Sequence, residues 1–310
     1  MNPPSAEISS SQSQRPSALL LMAALAAMLL LWSVNYVFGK IALLHMDPTT
    51  LVAFRFEVAG AVMLAIYFLQ AGRVSLRRGD LWTFAYLAFL GVVLNQGLFT
   101  MGLKYTTSAH SAIIVAIDPI LILALARAIG IESLTPGKVA GMAIAFVGIL
   151  VLEMEHGSSG NSPRLLGDLL SFGGAVSFSV YAVFTKRISQ EYDAIALNTF
   201  NCVGAAILVL PLAVRQGIHL DWKSVGWAGW AGMLYMALFS SVVAYLIFYW
   251  ALRHMEPSRL ATINYLQPIL VILLASKFVG EHPTGHLLGG GALVLVGVYL
   301  AERHVLENIS

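Results

Sequence analysis

Apolar and polar positions alternate along this chain in long blocks. Runs of about 20 mostly apolar residues are separated by short polar breaks, and about 20 is the length a helix needs to cross a hydrocarbon core about 30 Å thick. Ten such runs stand out, at about 18–44, 48–70, 81–103, 108–130, 135–154, 166–188, 194–214, 225–251, 257–279 and 284–301. Each predicts a membrane-spanning helix.

The runs repeat. Trp32 to Lys40 (WSVNYVFGK) returns as FSVYAVFTK at Phe178 to Lys186, with five of nine positions identical at an offset of 146. At an offset of 149, Asp118-Pro119-Ile120-Leu121 becomes Gln267-Pro268-Ile269-Leu270. The same offset carries Glu132 onto Glu281, Thr135 onto Thr284, Gly141 onto Gly290, Gly148 onto Gly297 and Glu153 onto Glu302. A period this long marks duplication of a half-molecule rather than a solenoid. Five spans fall in each half, and an odd number makes the second half enter the membrane from the opposite side, the inverted repeat of secondary transporters. The expected organisation is a disordered tail over 1–17, a first repeat over 18–156 and a second over 157–310. The expected fold class is an all-α integral membrane protein of ten transmembrane helices, arranged as two inverted five-helix repeats.

Composition agrees with a lipid solvent: 58% of residues are apolar and 11% charged, against about 45–50% and about 25% in soluble domains. With the N-terminus in the cytoplasm, Arg15, Arg73, Arg77, Arg78, Arg127, Lys138, Lys186, Arg187, Arg253, Arg259 and Arg303 lie inside, and Lys40, Lys104, Arg164, Arg215, Lys223 and Lys277 outside. That eleven-to-six bias favours both termini inside. The net charge of +2 and the absence of a basic patch interleaved with aromatics point away from nucleic acid. The single cysteine, Cys202, lies within a span, which excludes an intrachain disulfide and a cysteine metal site. Residues 1–16, rich in Ser, Pro and Gln, read as disordered. The first run is too long for a signal-peptide core and is kept as a span.

The half-repeat has a Trp-Ser-x-Asn or Phe-Ser-x-Tyr start to its first helix, an Ala-Phe-Arg-Phe in its second (Ala53 to Phe56), a central proline in its fourth, a glutamate at that helix's end (Glu132, Glu281) and a glycine-rich fifth helix. In this order and duplicated over residues 18–303, these features resemble the EamA domain of the drug/metabolite transporter superfamily. The resemblance implies a ten-helix carrier with a central cavity between inverted halves, usually exporting a small metabolite, in a family that spans amino acids, nucleosides, amines, drugs and sugars. It also marks Arg55 as the arginine of the family's second-helix pattern. A guanidinium there could clamp a substrate carboxylate bidentately, and a structural role is the weightier alternative.

Ionisable groups inside a bilayer cost about 2.5–3.5 kcal/mol even on the lenient scale, so function is sought there first. Asp118 is the deepest and is the candidate carrier of a coupling proton; the bland alternative is a structural hydrogen bond or ion pair. Pro119 and Pro268 each remove a helical hydrogen bond and mark hinges. They free the carbonyls of Val115 and Asn264, which must find another partner. Helical spacing sorts further polar and aromatic residues into faces. Span four offers Ser111, Val115 and Asp118, and span nine Leu260, Asn264 and Gln267. Span one offers Trp32, Asn35 and Gly39, answered on span six by Phe178, Tyr181 and Thr185. Span three offers Asn95, Gln96, Phe99 and Thr100, answered on span eight by Tyr245, Phe248 and Tyr249. Amides beside rings suit an organic substrate with a polar head and an apolar body, although aromatic stripes also serve plain packing. Lys40 and Lys186 read as interfacial anchors at span ends, and the glycines of spans five and ten as helix-packing positions.

The expected function is a secondary active transporter, an exporter working by alternating access in the cell (inner) membrane, with both termini cytoplasmic and protons as candidate coupling ion. A monomer and a homodimer fit equally. An uncoupled facilitator or exchanger, in which Asp118 is structural, is the rival within transport. An intramembrane enzyme is disfavoured: Asp118 is the only aspartate placed centrally in a span, no Gly-x-Ser-x-Gly elbow occurs, and no histidine pair at helix spacing could hold a metal. A membrane scaffold is a third reading. No cofactor is expected, and the lack of a Walker motif argues against ATP-driven pumping by this chain alone.

Overall fold

A computed structural model describes residues 16–71, 73–129, 135–153, 163–255 and 257–307. Most of the tail expected over 1–17, together with Glu132 and the last three residues, lies outside the described residues. Among the described residues every regular element is helical, and the chain makes ten passages. They are α1 (Ala18–Leu43), α2 (Pro48–Leu69), α3 (Arg78–Tyr105), α4 (Ser108–Val115 continued by Asp118–Ala128), α5 (Pro136–Glu153), α6 (Pro163–Ile188), α7 (Ala194–His219), α8 (Gly226–His254), α9 (Pro257–Ala261, a 3-10 stretch Thr262–Leu266, and Gln267–Phe278) and α10 (Gly285–Glu307). Seven of the ten contain unbroken apolar stretches long enough to cross a membrane; those of α5, α9 and α10 are shorter.

The helix ends explain part of the sequence echo. Thr135 and Thr284, equivalent positions, accept the N–H of Lys138 and of Leu287 at 3.3 and 3.2 Å, so each caps the fifth helix of its half. Thr107 and Asp193 cap α4 and α7 in the same way. Gly280, at φ +74, turns the chain out of α9. The next residue, Glu281, reaches the other half, where its carboxylate accepts the N–H groups of Ser108 and Ala109 at the start of α4. A carboxylate there meets both the free amides and the positive end of the helix dipole. Lys40 and Lys186 are more than interfacial anchors. Lys40 Nζ donates to the Thr106 carbonyl at the end of α3, and Lys186 Nζ donates to the Leu252 and Met255 carbonyls at the end of α8, 2.9 and 2.8 Å away. Each ties the first helix of its half to the third.

Packing follows the duplication. α2 lies against α7, and α5 against α10, each helix against its own equivalent. α4 likewise meets α9, and the other main contacts come in exchanged pairs: α3 with α6 and α1 with α8, α4 with α6 and α1 with α9, α3 with α7 and α2 with α8. Swapping the halves reproduces these main contacts, as a pseudo-twofold axis requires. With five passages per half, the two halves run through the membrane in opposite senses. Large apolar side chains such as Phe146, Leu210 and Leu273 stand on the outside, where lipid is the solvent. Cysteines introduced at the equivalent exposed loops, Ser75 and Ser224, are expected to react with an impermeant maleimide from opposite faces of the membrane. Labelling of both from one face would contradict the inversion.

Two irregularities recur in both halves. The middle of α3 (Ala88–Leu94) and the middle of α8 (Met236–Ala244) are wound as π-helix, a geometry that is rare and concentrates at functional sites. Side chains from other helices satisfy the loosened backbone: Ser177 Oγ donates to the Leu90 carbonyl at 2.7 Å, and Asn198 Nδ2 to the Ser241 and Val242 carbonyls at 3.2 and 3.1 Å. In α4 the α-helix is interrupted at Ala116 and Ile117, and in α9 it tightens to 3-10 over Thr262–Leu266. Pro119 and Pro268 then sit in the first turn of the next segment, where a missing N–H costs nothing. The Asn264 carbonyl freed by Pro268 accepts the Gln267 N–H instead of a ligand.

Candidate functional site

A narrow cleft of about 70 Å³ lies between the halves. Both interrupted helices reach it, through Val115 and Asp118 from α4 and Asn264 and Gln267 from α9. The other walls are Trp32, Asn35 and Tyr36 from α1, Asn95, Gln96 and Phe99 from α3, Ser171, Gly174, Ala175 and Phe178 from α6, and Ser240 and Tyr245 from α8.

The amides of α3 are held by bonds across the halves. Asn95 Nδ2 donates to the Gly174 carbonyl at 2.9 Å, while Gln96 Nε2 donates to Asn95 Oδ1 at 2.7 Å and to the Tyr245 hydroxyl at 3.3 Å. Both side chains follow the π-helical stretch directly, so that stretch sets the angle at which they meet α6 and α8. The aromatic wall is interlocked: the Trp32 ring lies edge-on to Phe178 and Tyr245 at centroid distances of 6.3 and 5.6 Å, and Tyr36 is edge-on to Phe99 at 5.0 Å. Asp118 is 2% exposed, and its Oδ1 has no hydrogen-bond partner.

Of the residues singled out from sequence, Trp32, Asn35, Asn95, Gln96, Phe99, Val115, Asp118, Phe178, Tyr245, Asn264 and Gln267 therefore meet in one cleft. Ser111, Tyr181, Phe248, Tyr249 and Arg55 lie behind its walls. Ser111 Oγ bonds Ser171 Oγ at 3.0 Å; the interruption of α4 breaks the i, i+4, i+7 phase that would align it with Asp118. The hydroxyls of Tyr181 and Tyr249 bond each other in a fully buried pair, and the Tyr181 ring covers Gly91 in the π-helical stretch of α3. Phe248 packs on Trp32 and Phe178. Arg55 is completely buried in α2, its Nε donating to Ser241 Oγ at 2.8 Å and its Nη2 to Ser240 Oγ at 3.3 Å. The guanidinium thus braces the π-helical stretch of α8; it does not line the cleft, and its Nη1 is buried without a hydrogen-bond partner.

Sequence reasoning missed Tyr36, Ser171, Gly174, Ala175 and Ser240. Three of these form a small-residue stripe on α6 at i, i+3, i+4, and that signal could have found them, since small residues let α3 and the cleft approach the α6 backbone. Among the described residues no group of three or more His, Cys, Asp or Glu side chains could hold a metal ion.

Two like halves of five membrane passages around a polar cleft define a carrier of the inverted-repeat class. The chain belongs to the EamA-like transporter family, whose sequence profile matches residues 18–154 and again 165–302. It is a multi-pass membrane protein of a transporter family, which implies a lipid environment and a small-molecule substrate. Relatives include an uncharacterized transporter of Archaeoglobus fulgidus, 28% identical over 90% of this chain and 97% of its own. A probable amino-acid metabolite efflux pump of Salmonella typhimurium is 26% identical over 87% and 90%, and the uncharacterized inner membrane transporter YedA of Escherichia coli is 25% identical over 90% and 92%. One crystal structure superposes with a TM-score of 0.65 at 20% identity, over 94% of this chain and 99% of its own, which establishes the shared fold.

Proposed function

We propose that the protein is a secondary active transporter that exports a small organic metabolite through the central cleft, rocking one half against the other. The observation that carries this reading is the cleft itself, lined from both halves by five carboxamides, aromatic rings and one carboxyl. Interrupted helices meeting between inverted repeats are where such carriers bind substrate and coupling ion. Asp118 is the proposed proton carrier, and the breaks before Pro119 and Pro268 the proposed hinges. The name of the Salmonella relative supports an amino acid or related solute as cargo and export as direction, and that of the Escherichia coli relative supports the inner membrane. The lysine and arginine bias supports cytoplasmic termini.

The test is flux in proteoliposomes. Asn35→Trp, Gln96→Trp, Tyr245→Trp and Asn264→Trp each fill the cleft. Each is expected to lower transport at least tenfold while expression and elution in size-exclusion chromatography stay near wild type. Transport at wild-type rates in all four would remove the cleft from the pathway, and loss of folded protein in all four would mark them as packing residues.

A further inference from the structure

A second hollow, of about 380 Å³, lies on the outside of the bundle between α2, α3 and α7. Tyr67, Phe84 and Thr199 are buried in its floor, and Leu64, Leu81 and Ile207 stand exposed along its rims. Both hydroxyls of the floor are spent on backbone: Tyr67 donates to the Val74 carbonyl at 2.9 Å and Thr199 to the Met63 carbonyl at 3.2 Å. The surface left to a guest is hydrocarbon. Along α7 the lining runs from Thr199 to Leu208, about 14 Å at about 1.5 Å per residue. That is about half of a hydrocarbon core about 30 Å thick, the depth of one leaflet.

The groove ends at an ordered, basic loop. Leu76 and Leu81 line that end, on either side of Arg77 and Arg78 in the chain. The Arg77 N–H donates to the Tyr192 hydroxyl at 3.2 Å, and that hydroxyl donates to Asp80 Oδ2 at 2.6 Å. The Tyr192 ring is edge-on to Phe84 and Phe200, two rings of the groove, at 5.1 and 5.8 Å. The Arg73 guanidinium stands over the Phe68 ring at 5.2 Å, and Phe68 is edge-on to Tyr67 of the floor at 5.7 Å. Arg77 pairs with Glu191 at 2.6 Å, whereas Arg73 and Arg78 are exposed and have no carboxylate partner among the described residues. A topology signal alone explains arginines in a loop; it does not explain their place at the end of an apolar groove one leaflet deep.

We infer that this groove holds one anionic phospholipid, an acyl chain lying between α2, α3 and α7 and the phosphate held by Arg73 and Arg78. Guanidinium groups suit a phosphate because they meet two of its oxygens at once, and basic clusters at the ends of membrane helices select anionic headgroups. A second copy of the chain fits the groove poorly. An isologous contact through this face would set concave floor against concave floor and bring the arginines of the two copies together. The inference is independent of the transport reading.

Native mass spectrometry of the full chain tests it, with delipidated protein in detergent titrated with dioleoylphosphatidylglycerol or dioleoylphosphatidylcholine. One phosphatidylglycerol per chain is expected to bind at least tenfold more tightly than phosphatidylcholine. Arg73→Gln combined with Arg78→Gln is expected to bring phosphatidylglycerol down to the level of phosphatidylcholine. Ala85→Trp, which fills the groove from an exposed position on α3, is expected to weaken both lipids several-fold. Arg215→Gln combined with Lys223→Gln removes the same charge at the other end of α7 and is expected to leave the preference unchanged. Should Ala85→Trp fail to fold, the two double variants, all at exposed positions, decide. Equal binding of the two lipids by the wild type, a preference that survives in the Arg73 and Arg78 double variant, or one lost equally in the control would overturn the inference. Displacement of the lipid by glycerol 3-phosphate, which would mark a soluble-phosphate site, would overturn it too, as would a dimer of the chain that dissociates when the groove is filled by Ala85→Trp.

Discussion

Asp118→Asn is expected to abolish accumulation of substrate driven by a pH gradient and to leave exchange at saturating substrate intact. Asp118 opens the second segment of α4, is 2% exposed, and has no ion-pair partner among the described residues. Placing a carboxyl there costs free energy that a purely structural residue would not need to spend. Asparagine keeps the shape and one acceptor oxygen but can neither bind nor release a proton. With one proton moved per substrate, a gradient of one pH unit sustains about tenfold accumulation; the variant sustains none. Proteoliposomes loaded to a known internal pH, with labelled substrate outside, read both quantities in one preparation. Concentrative transport at the wild-type level in the variant would remove Asp118 from the coupling, and absence of concentrative transport in the wild type would favour the uncoupled facilitator.

Gly297→Leu is expected to cost most of the folded protein. A Cβ at Gly297 would stand 2.3 Å from the Ala145 nitrogen and 2.6 Å from the Gly141 carbonyl oxygen, both backbone atoms of α5. Its equivalent Gly148 meets the Val294 nitrogen and the Gly290 carbonyl oxygen of α10 at 2.6 and 2.8 Å. Two helices in backbone contact cannot yield as a flexible side chain would, so the substitution forces α5 and α10 apart. Overpacking commonly costs about 1–3 kcal/mol even where side chains can adjust. The measurement is the yield and thermal unfolding midpoint of detergent-purified protein, with Gly297→Ala expected to be intermediate. Gly289→Ala is the control, because no atom lies within 4 Å of a Cβ built there. An unfolding midpoint for Gly297→Leu equal to that of wild type would show that the two helices are not held in this register.

The glycines illustrate where sequence reading stops. Gly148, Gly289, Gly291 and Gly297 look alike in the chain, and all suit helix packing. Only Gly148 and Gly297 meet a neighbouring backbone, Gly291 meets the Ile113 side chain, and Gly289 faces open space. Which face of a helix is apposed to another is a property of the pair, and a single strand of residues does not carry it.

The chain by itself determined the ten passages, because crossing a bilayer demands a length of apolar residues that can be counted. It likewise determined the duplication, and with an odd number of spans per half, the inversion. Asp118 was legible because a carboxyl within an apolar run is costly wherever the helix lies. The faces of α3, α4 and α8 were decided by tertiary structure. Period 3.6 holds only while the helix is regular, and the π-helical stretches at Ala88–Leu94 and Met236–Ala244 and the interruption before Asp118 reset the phase. The bonds that compensate those irregularities come from Ser177 and Asn198, 87 and 43–44 residues away. For that reason Phe248, Tyr249 and Ser111 went behind the wall while Ser240 came to its surface, because only the folded helices set where each phase is reset.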